Sequence, residues 1–225
     1  MPELSNSPFA PGPLNQLRAK RDRGRYDASE IFAILDCATV AHVGFVHDGR
    51  PMVIPMIFGR DEDRLYLHGV RKGRITSTAA GAPVCITVTL VDGIVVARSM
   101  FDASMNYRSV VIHGHAREIE DQAHRLHALR RISEQVLPGR WDEVREPFEK
   151  EVKGTSVLEV VIEAASAKVR SGPPMDDRVP GDERVWAGVI PMLTSFGQPV
   201  VDAEVPTDVA LPPSVVALTK EAGLK

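Results

Sequence analysis

The residues best suited to chemistry lie in one stretch, residues 66–80, which reads YLHGVRKGRITSTAA. An apolar strand ends at His68 and Gly69. Arg71, Lys72, Gly73 and Arg74 follow, and then the start of a short helix. Unpaired N–H groups at a helix start carry partial positive charge, and Gly73 lets a bulky ligand approach the backbone. Arg71, Lys72 and Arg74 can add charge-assisted hydrogen bonds to an oxyanion. The mixture of a planar fork and a point charge suits a terminal phosphate. The plainer alternative is a solvated basic turn, and it stays open because neither a P-loop nor a GxGxxG pattern is present. His68 titrates near neutral pH, so a ligand-facing ring could donate a proton or hold a substrate carbonyl. A satisfied strand histidine is the competing reading.

Other reactive side chains carry less. His113 and His115 flank Gly114, and on a strand they share a face as zinc ligands can. A strand histidine pair without an accompanying ligand set favours a structural role. His124 and His127 are spaced i, i+3 on a helix without an HExxH pattern, so they read as solvent-facing. Cys37 and Cys85 sit in apolar runs and read as inert core thiols. Trp141 and Trp186 read as packing residues, Trp186 having the better claim to a ligand cleft. No Ser-His-Asp or Cys-His nucleophile arrangement can be argued from spacing.

These residues need a scaffold. The chain has 225 residues and a formal net charge of -3. The near balance gives no electrostatic reason to expect a nucleic-acid or membrane-surface partner. Two cysteines without a CxxC pair suggest a reduced compartment. No run approaches the roughly 20 apolar residues of a membrane span, and the proline- and charge-rich start lacks a hydrophobic signal region. A cytoplasmic protein is the expectation.

Pro8, Pro11 and Pro13 predict an extended arm over residues 1–24. Asp27 caps a short helix, with Glu30 completing a capping-box-like pattern. TVAHVGFVH, RPMVIPMIFG and RLYLHG read as strands, the first two joined at Asp48-Gly49, a strong hairpin signal. PVCITVTLVDGIVVARS is β-branched with a turn, bulge or break at Asp92-Gly93. RSVVIHGHAREIE is another strand. Residues 121–139 form a helix capped by Asp121, with Leu126, Leu129, Ile132 and Val136 on one face, stopped by Pro138-Gly139. TSVLEVVIEAASAKVRSG returns to strand. The expected organisation is an arm at 1–24, a main domain at 25–197 and a tail at 198–225. Strands at hairpin spacing with few helices predict a mainly β fold, an antiparallel barrel with peripheral helices, and regular βαβ units are absent.

Six pieces in order, GRPMVIPMIF, RLYLHGVRKGR, NYRSVVIHGHARE, LPGRWDEVREP, AKVRSGPP and VWAGVIPM, make the chain resemble the pyridoxamine-5'-phosphate-oxidase-like flavoproteins. It is most similar to the branch related to nitroimidazole-resistance flavoproteins. The resemblance implies an FMN-binding split barrel. It implies Arg71 and Lys72 as phosphate ligands with Gly73 and Arg74 nearby, and His68 and Gly69 close to the ribityl chain or flavin edge. Val53, Ile54, Pro55 and Met56 match the strand whose backbone lies along the isoalloxazine. Arg108 and Ser109 match a strand that reaches the flavin from the other subunit, which implies a homodimer with FMN at the interface. Lys168 and Arg170 stand where the oxidases carry an aromatic that packs on the flavin. The arginine-histidine segment that clamps the vitamin substrate has no counterpart, and no histidine follows His127.

The expected activity is therefore FMN-dependent oxidoreduction of a small organic molecule, nitroaromatics among the candidates, with NAD(P)H as the candidate donor. The alternatives are a flavin carrier or sensor without turnover, or a split barrel holding haem or a deazaflavin.

Overall fold

The computed structural model describes residues 9–71, 73–177 and 179–221. After a two-residue strand β1 (Gly24–Arg25), the Asp27 carboxylate opens helix α1 (Ala28–Asp36). It accepts the amide N–H groups of Ser29 and Glu30 at 2.9 and 3.4 Å, two of the donors that a helix start leaves unpaired. Strands β2 (Val40–His47) and β3 (Arg50–Asp61) form the expected hairpin. Its turn residues Asp48 and Gly49 have φ of 51° and 73°. Two positive φ values in a two-residue turn match the twist of the flanking strands.

Strand β4 (Arg64–Val70) leads into the one-turn helix α2 (Arg74–Thr78). Two long strands follow, β5 (Pro83–Val96) and β6 (Ser104–Glu118), and of the turn, bulge or break expected at Asp92-Gly93 the structure shows a bulge between Val91 and Gly93. Helix α3 (Gln122–Val136) is capped by Asp121, which accepts the His124 N–H at 2.7 Å. A short helix α4 (Glu149–Gly154) was not foreseen. The last long strand-like run is two strands, β7 (Thr155–Val161) and β8 (Ala164–Arg170). Strand β9 (Gly188–Pro191) and helix α5 (Pro213–Glu221) complete the chain. Ser214 at the start of α5 is fastened to Glu143, its hydroxyl donating at 2.5 Å.

All pairings are antiparallel, and β2, β3, β4, β7, β6 and β5 close a ring because β5 also pairs with β6. Strand β6 is long enough to leave the ring: residues 116–118 pair with β7, while residues 107–113 pair with β8 on the same side. This is a split barrel. Alternate residues point inward, among them Val43, Phe45, Phe58, Leu67, Ile86, Val88, Val110 and Ile112, and α1 closes the core through Ile31 and Leu35.

Helix α3 lies across the outside of β3 and β4, packing Ala128 and Ile132 against Tyr66 and Val157. Gly59 permits this. A β-carbon there would stand 2.5 Å from the Arg131 carbonyl carbon and the Ile132 nitrogen. Arg131 adds a hydrogen bond to the Arg60 carbonyl at 2.8 Å. Residues 9–25 are docked on the barrel. Phe9 meets Phe32 edge to face, and buried Asn15 donates to the carbonyls of Phe9 at 3.0 Å and Ala165 at 2.8 Å.

Candidate functional site

At the end of β4 the chain turns through Val70 and Arg71, and the Gly73 N–H donates to the Val70 carbonyl at 2.7 Å. A β-carbon at Gly73 would come within 2.9 Å of that same oxygen, so the turn demands glycine. The Thr76 hydroxyl donates to the carbonyls of Val70 and Gly73 at 2.8 and 2.9 Å, locking the turn against α2. Arg71 and Arg74 are exposed, and neither pairs with a carboxylate among the described residues. Lys72 lies outside the described residues. Helix α2 is one turn long and no side chain caps its amino end, so any grip on an anion rests on the arginines far more than on a helix dipole.

The strand expected to flank a flavin, residues 53–56, is split by its pleat. Ile54 and Met56 pack against the core, while Val53 and Pro55 face outward. Register places Pro55 beside His42, Thr87 and Val111 in one outward row, and Val53 beside Gly44, Cys85 and His113 in the next. Val40, Val53, Ile57 and Val111 leave this face exposed and apolar.

Strands β6 and β8 carry the remaining expected ligands as a separate group. Ser109 and Lys168 are direct neighbours, and the Ser109 hydroxyl donates to the Lys168 carbonyl at 3.3 Å. Three strand spacings separate Pro55 from Val111 in their row, about 14 Å, so the two groups do not meet within one protomer. Arg108 is engaged by Asp92 through bonds of 3.0 and 2.8 Å, and that carboxylate, with the Cys37 thiol nearby, raises its already high pKa. Arg170 is buried at the end of β8, next to Asn106 and Gly172.

His68 points the other way from Leu67, out of the barrel and under α3. It lines a cleft of about 370 Å³ whose walls are Ile57, Leu129, Ile132, Val136, Leu137 and Trp141, with Val152 and Thr155 beyond. Its Nδ1 is buried without a hydrogen-bond partner. Burial pushes its pKa below the ordinary histidine value, which keeps the ring neutral at neutral pH. A neutral imidazole in an apolar cleft is a natural metal-ion ligand. Sequence reasoning singled out His68 but not its surroundings. Trp141, not Trp186, lines the cleft, and Trp186 is 63 % exposed. The apolar stripe of α3, continued beyond Ile132 by Val136 and Leu137, was the available signal.

The cysteines correct the expectation of core packing, since both are exposed. Cys85 sits on an outward position between Val84 and Ile86, which point in. Three of the other candidate histidines pair with carboxylates. His115 pairs with Glu163 at 2.7 Å, His127 with Asp61 at 2.8 Å, and His124 lies 3.3 Å from Glu159. Among the described residues no cluster of three or more metal-ligating side chains forms, and no helix is long and apolar enough to cross a membrane.

A six-stranded split barrel with a cationic turn after its third strand defines a flavin-binding class of fold. The model of the pyridoxamine 5'-phosphate oxidase family matches residues 27–169, and the chain belongs to that family. No curated protein sequence matches the chain. Among solved structures it is similar to the flavocytochrome Anf3 from Azotobacter vinelandii, with 37 % identity, 94 % of this chain and 99 % of that one covered, and a TM-score of 0.87. It is also similar to an FAD and heme binding protein from Mycobacterium smegmatis, with 35 % identity, coverage of 88 % and 97 %, and a TM-score of 0.82. A Bacteroides thetaiotaomicron protein assigned to 5-nitroimidazole antibiotic resistance follows at 28 % identity, coverage of 65 % and 86 %, and a TM-score of 0.53.

Proposed function

We propose that this protein is a two-cofactor redox protein that holds a flavin on the outer face of its barrel and a haem in the cleft beneath α3. The observation that carries the reading is His68, an imidazole without a partner in an apolar cleft. The similarity to two proteins that bind both FAD and heme, or are named for flavin and cytochrome, supports it. The cleft fits such a group chemically: apolar walls suit a macrocycle, and a neutral histidine suits its iron.

Flavin supplies hydride acceptance and one-electron release, and haem iron supplies one-electron transfer. Arg71 and Arg74, with Lys72, would hold the flavin phosphate through charge-assisted hydrogen bonds. The outward residues Val53 and Pro55 would support the ring system. His68 would fix the haem, and Leu129, Ile132 and Trp141 would keep water from it. The exposed apolar face around Val40, Val53, Ile57 and Val111 favours a homodimer, in which Ser109, Lys168 and their neighbours would approach the partner's flavin. NAD(P)H is the proposed donor, a small molecule the proposed acceptor, and the cytoplasm the proposed location. FAD is preferred over FMN on the strength of the relatives. A second reading, reduction of a nitroaromatic acceptor, draws on the Bacteroides protein.

The test is an absorption spectrum of the protein purified from a haem-replete host. Flavin bands and a Soret band are both expected. His68→Ala should lose the Soret band and keep the flavin, and Arg71→Ala with Arg74→Ala should do the reverse. Colourless protein that takes up neither cofactor on titration overturns the proposal.

A further inference from the structure

Arg170 ends β8 with its side chain inside the protein, the residue being only 7 % exposed. Its guanidinium donates to the Asn106 side-chain oxygen and to the carbonyls of Gly172 and Pro173 at 3.4 and 3.3 Å. Its Nε is buried with no partner. Every partner it has is neutral, and none of the described carboxylates pairs with it. A buried charge without a counter-charge is costly, and a bound anion removes that cost.

Two adjoining polar clefts open onto this arginine, of about 180 and 270 Å³. They share Arg23, Arg170 and Met175. The smaller adds Arg25, and the larger adds Lys20 and Phe101. Arg25 is held by Glu30 at 3.6 Å and by backbone carbonyls, whereas Lys20 and Arg23 have no ion-pair partner among the described residues. One carboxylate stands in each lobe, Asp22 and Asp102, so cations outnumber acids by two to one. Neither lobe alone reaches the roughly 300 Å³ of ordinary small-molecule sites, but the pair does. Phe101 is 98 % exposed and Met175 76 %, and both line the larger lobe, where the Phe101 ring offers a face on which a base can stack.

We propose that this double cleft binds the adenosine diphosphate group of a dinucleotide, with its phosphates on Arg170, Arg23 and Lys20 and its purine against Phe101 and Met175. The group is that of a free nicotinamide dinucleotide, the proposed donor, because in FAD one of the two phosphates is the flavin phosphate assigned to the Arg71 turn. The site is separate from the Arg71 turn and from the His68 cleft, so it stands or falls without them.

The test is titration of the full-length protein with ADP, as purified and after removal of bound flavin, using the wild type and the double variant Lys20→Glu, Arg23→Glu. ADP should bind the wild type, and the double variant should weaken it at least tenfold. Arg170→Lys, checked for an unchanged melting curve, should weaken it as well. ADP should compete with NADH on the flavin-loaded protein. ADP that binds only after flavin removal, with a double variant that loses affinity for FAD but not FMN, would assign the cleft to the flavin's own pyrophosphate and overturn the proposal. Failure of ADP to bind either form overturns the proposal, as does a double variant whose affinities for ADP and NADH both stay within twofold. Loss of flavin in the Arg71 variant with ADP binding intact would separate this site from the phosphate turn.

Discussion

Replacing Gly59 by alanine should damage the protein out of proportion to one methyl group. The new carbon would sit 2.5 Å from the Arg131 carbonyl carbon and the Ile132 nitrogen and 2.7 Å from the Arg131 oxygen. Comfortable carbon contacts begin at about 3.5 Å, so β3 and α3 must part by about 1 Å. All three atoms are backbone, so no side-chain rotation relieves the clash. Separation loosens Ala128 and Ile132 from Tyr66 and Val157 and stretches the Arg131 bonds to the Arg60 carbonyl, now 2.8 and 3.1 Å. Overpacking of this kind costs about 1–3 kcal/mol, and the loosened contacts place this site at the upper end. At about 2–4 °C per kcal/mol for a domain of this size, the melting temperature should fall by about 6–12 °C. Gly154→Ala is the control: a β-carbon there meets nothing within 4 Å, so the change should be near zero or mildly stabilising. Thermal melts followed by circular dichroism read both. A Gly59→Ala protein melting within about 2 °C of the parent would show that α3 does not rest on the β3 backbone, and the geometry of the cleft would have to be redrawn.

Two further outcomes follow from the same structure. Burial holds the His68 pKa below the ordinary value of about 6.5, so just below that pH the unfolded chain binds a proton that the folded chain refuses. Stability therefore rises with pH through that window and falls as pH drops below it. Urea unfolding at pH 5.5 and 7.5 should give a smaller difference for His68→Leu than for the parent, and an equal difference refutes the assignment. Asn15→Ala removes four hydrogen bonds, those to Phe9, Ala10 and Ala165 and the one from Gly12 at 2.6 Å. It leaves buried carbonyls unmatched at about 1–3 kcal/mol. Limited proteolysis should then cut ahead of residue 24 much faster than in the parent, and unchanged cutting would show that Asn15 does not hold the arm.

What could be read before folding was what depends on near neighbours. Asp27 and Asp121 announce helix starts because the side chain bonds amides two or three residues on. Asp48-Gly49 announces a hairpin because few pairs tolerate two positive φ values. The division of residues 155–170 into β7 and β8 was hidden: the turn at Ile162 and Glu163 contains no glycine or proline, and it is held by long-range bonds, Ile162 to the Asp63 carbonyl and Glu163 to the His113 carbonyl. Helix α4 is six residues long and escapes any periodicity argument. Cys85 was legible in principle, since strict alternation from Val84 and Ile86 puts it outside, but its apolar neighbours outweighed the parity. The phosphate turn was visible as a cluster of charge next to glycine. The cleft was not, because His68 meets Leu137 and Trp141 only after some 70 residues of intervening chain have folded back.

The arm has a consequence for handling the protein. Strand β8 is paired along one side by β6, but among the described residues its other side meets only the two residues of β1, at Ala167 and Lys168, and the Asn15 amide at Ala165. Residues 9–25 thus act as a guard rail over an otherwise unpaired ladder. A truncated version beginning at the first helix would bare that ladder, and bare ladders recruit strands from other molecules. Insoluble material from such a version would report a lost guard rail, not a failure of the barrel to form.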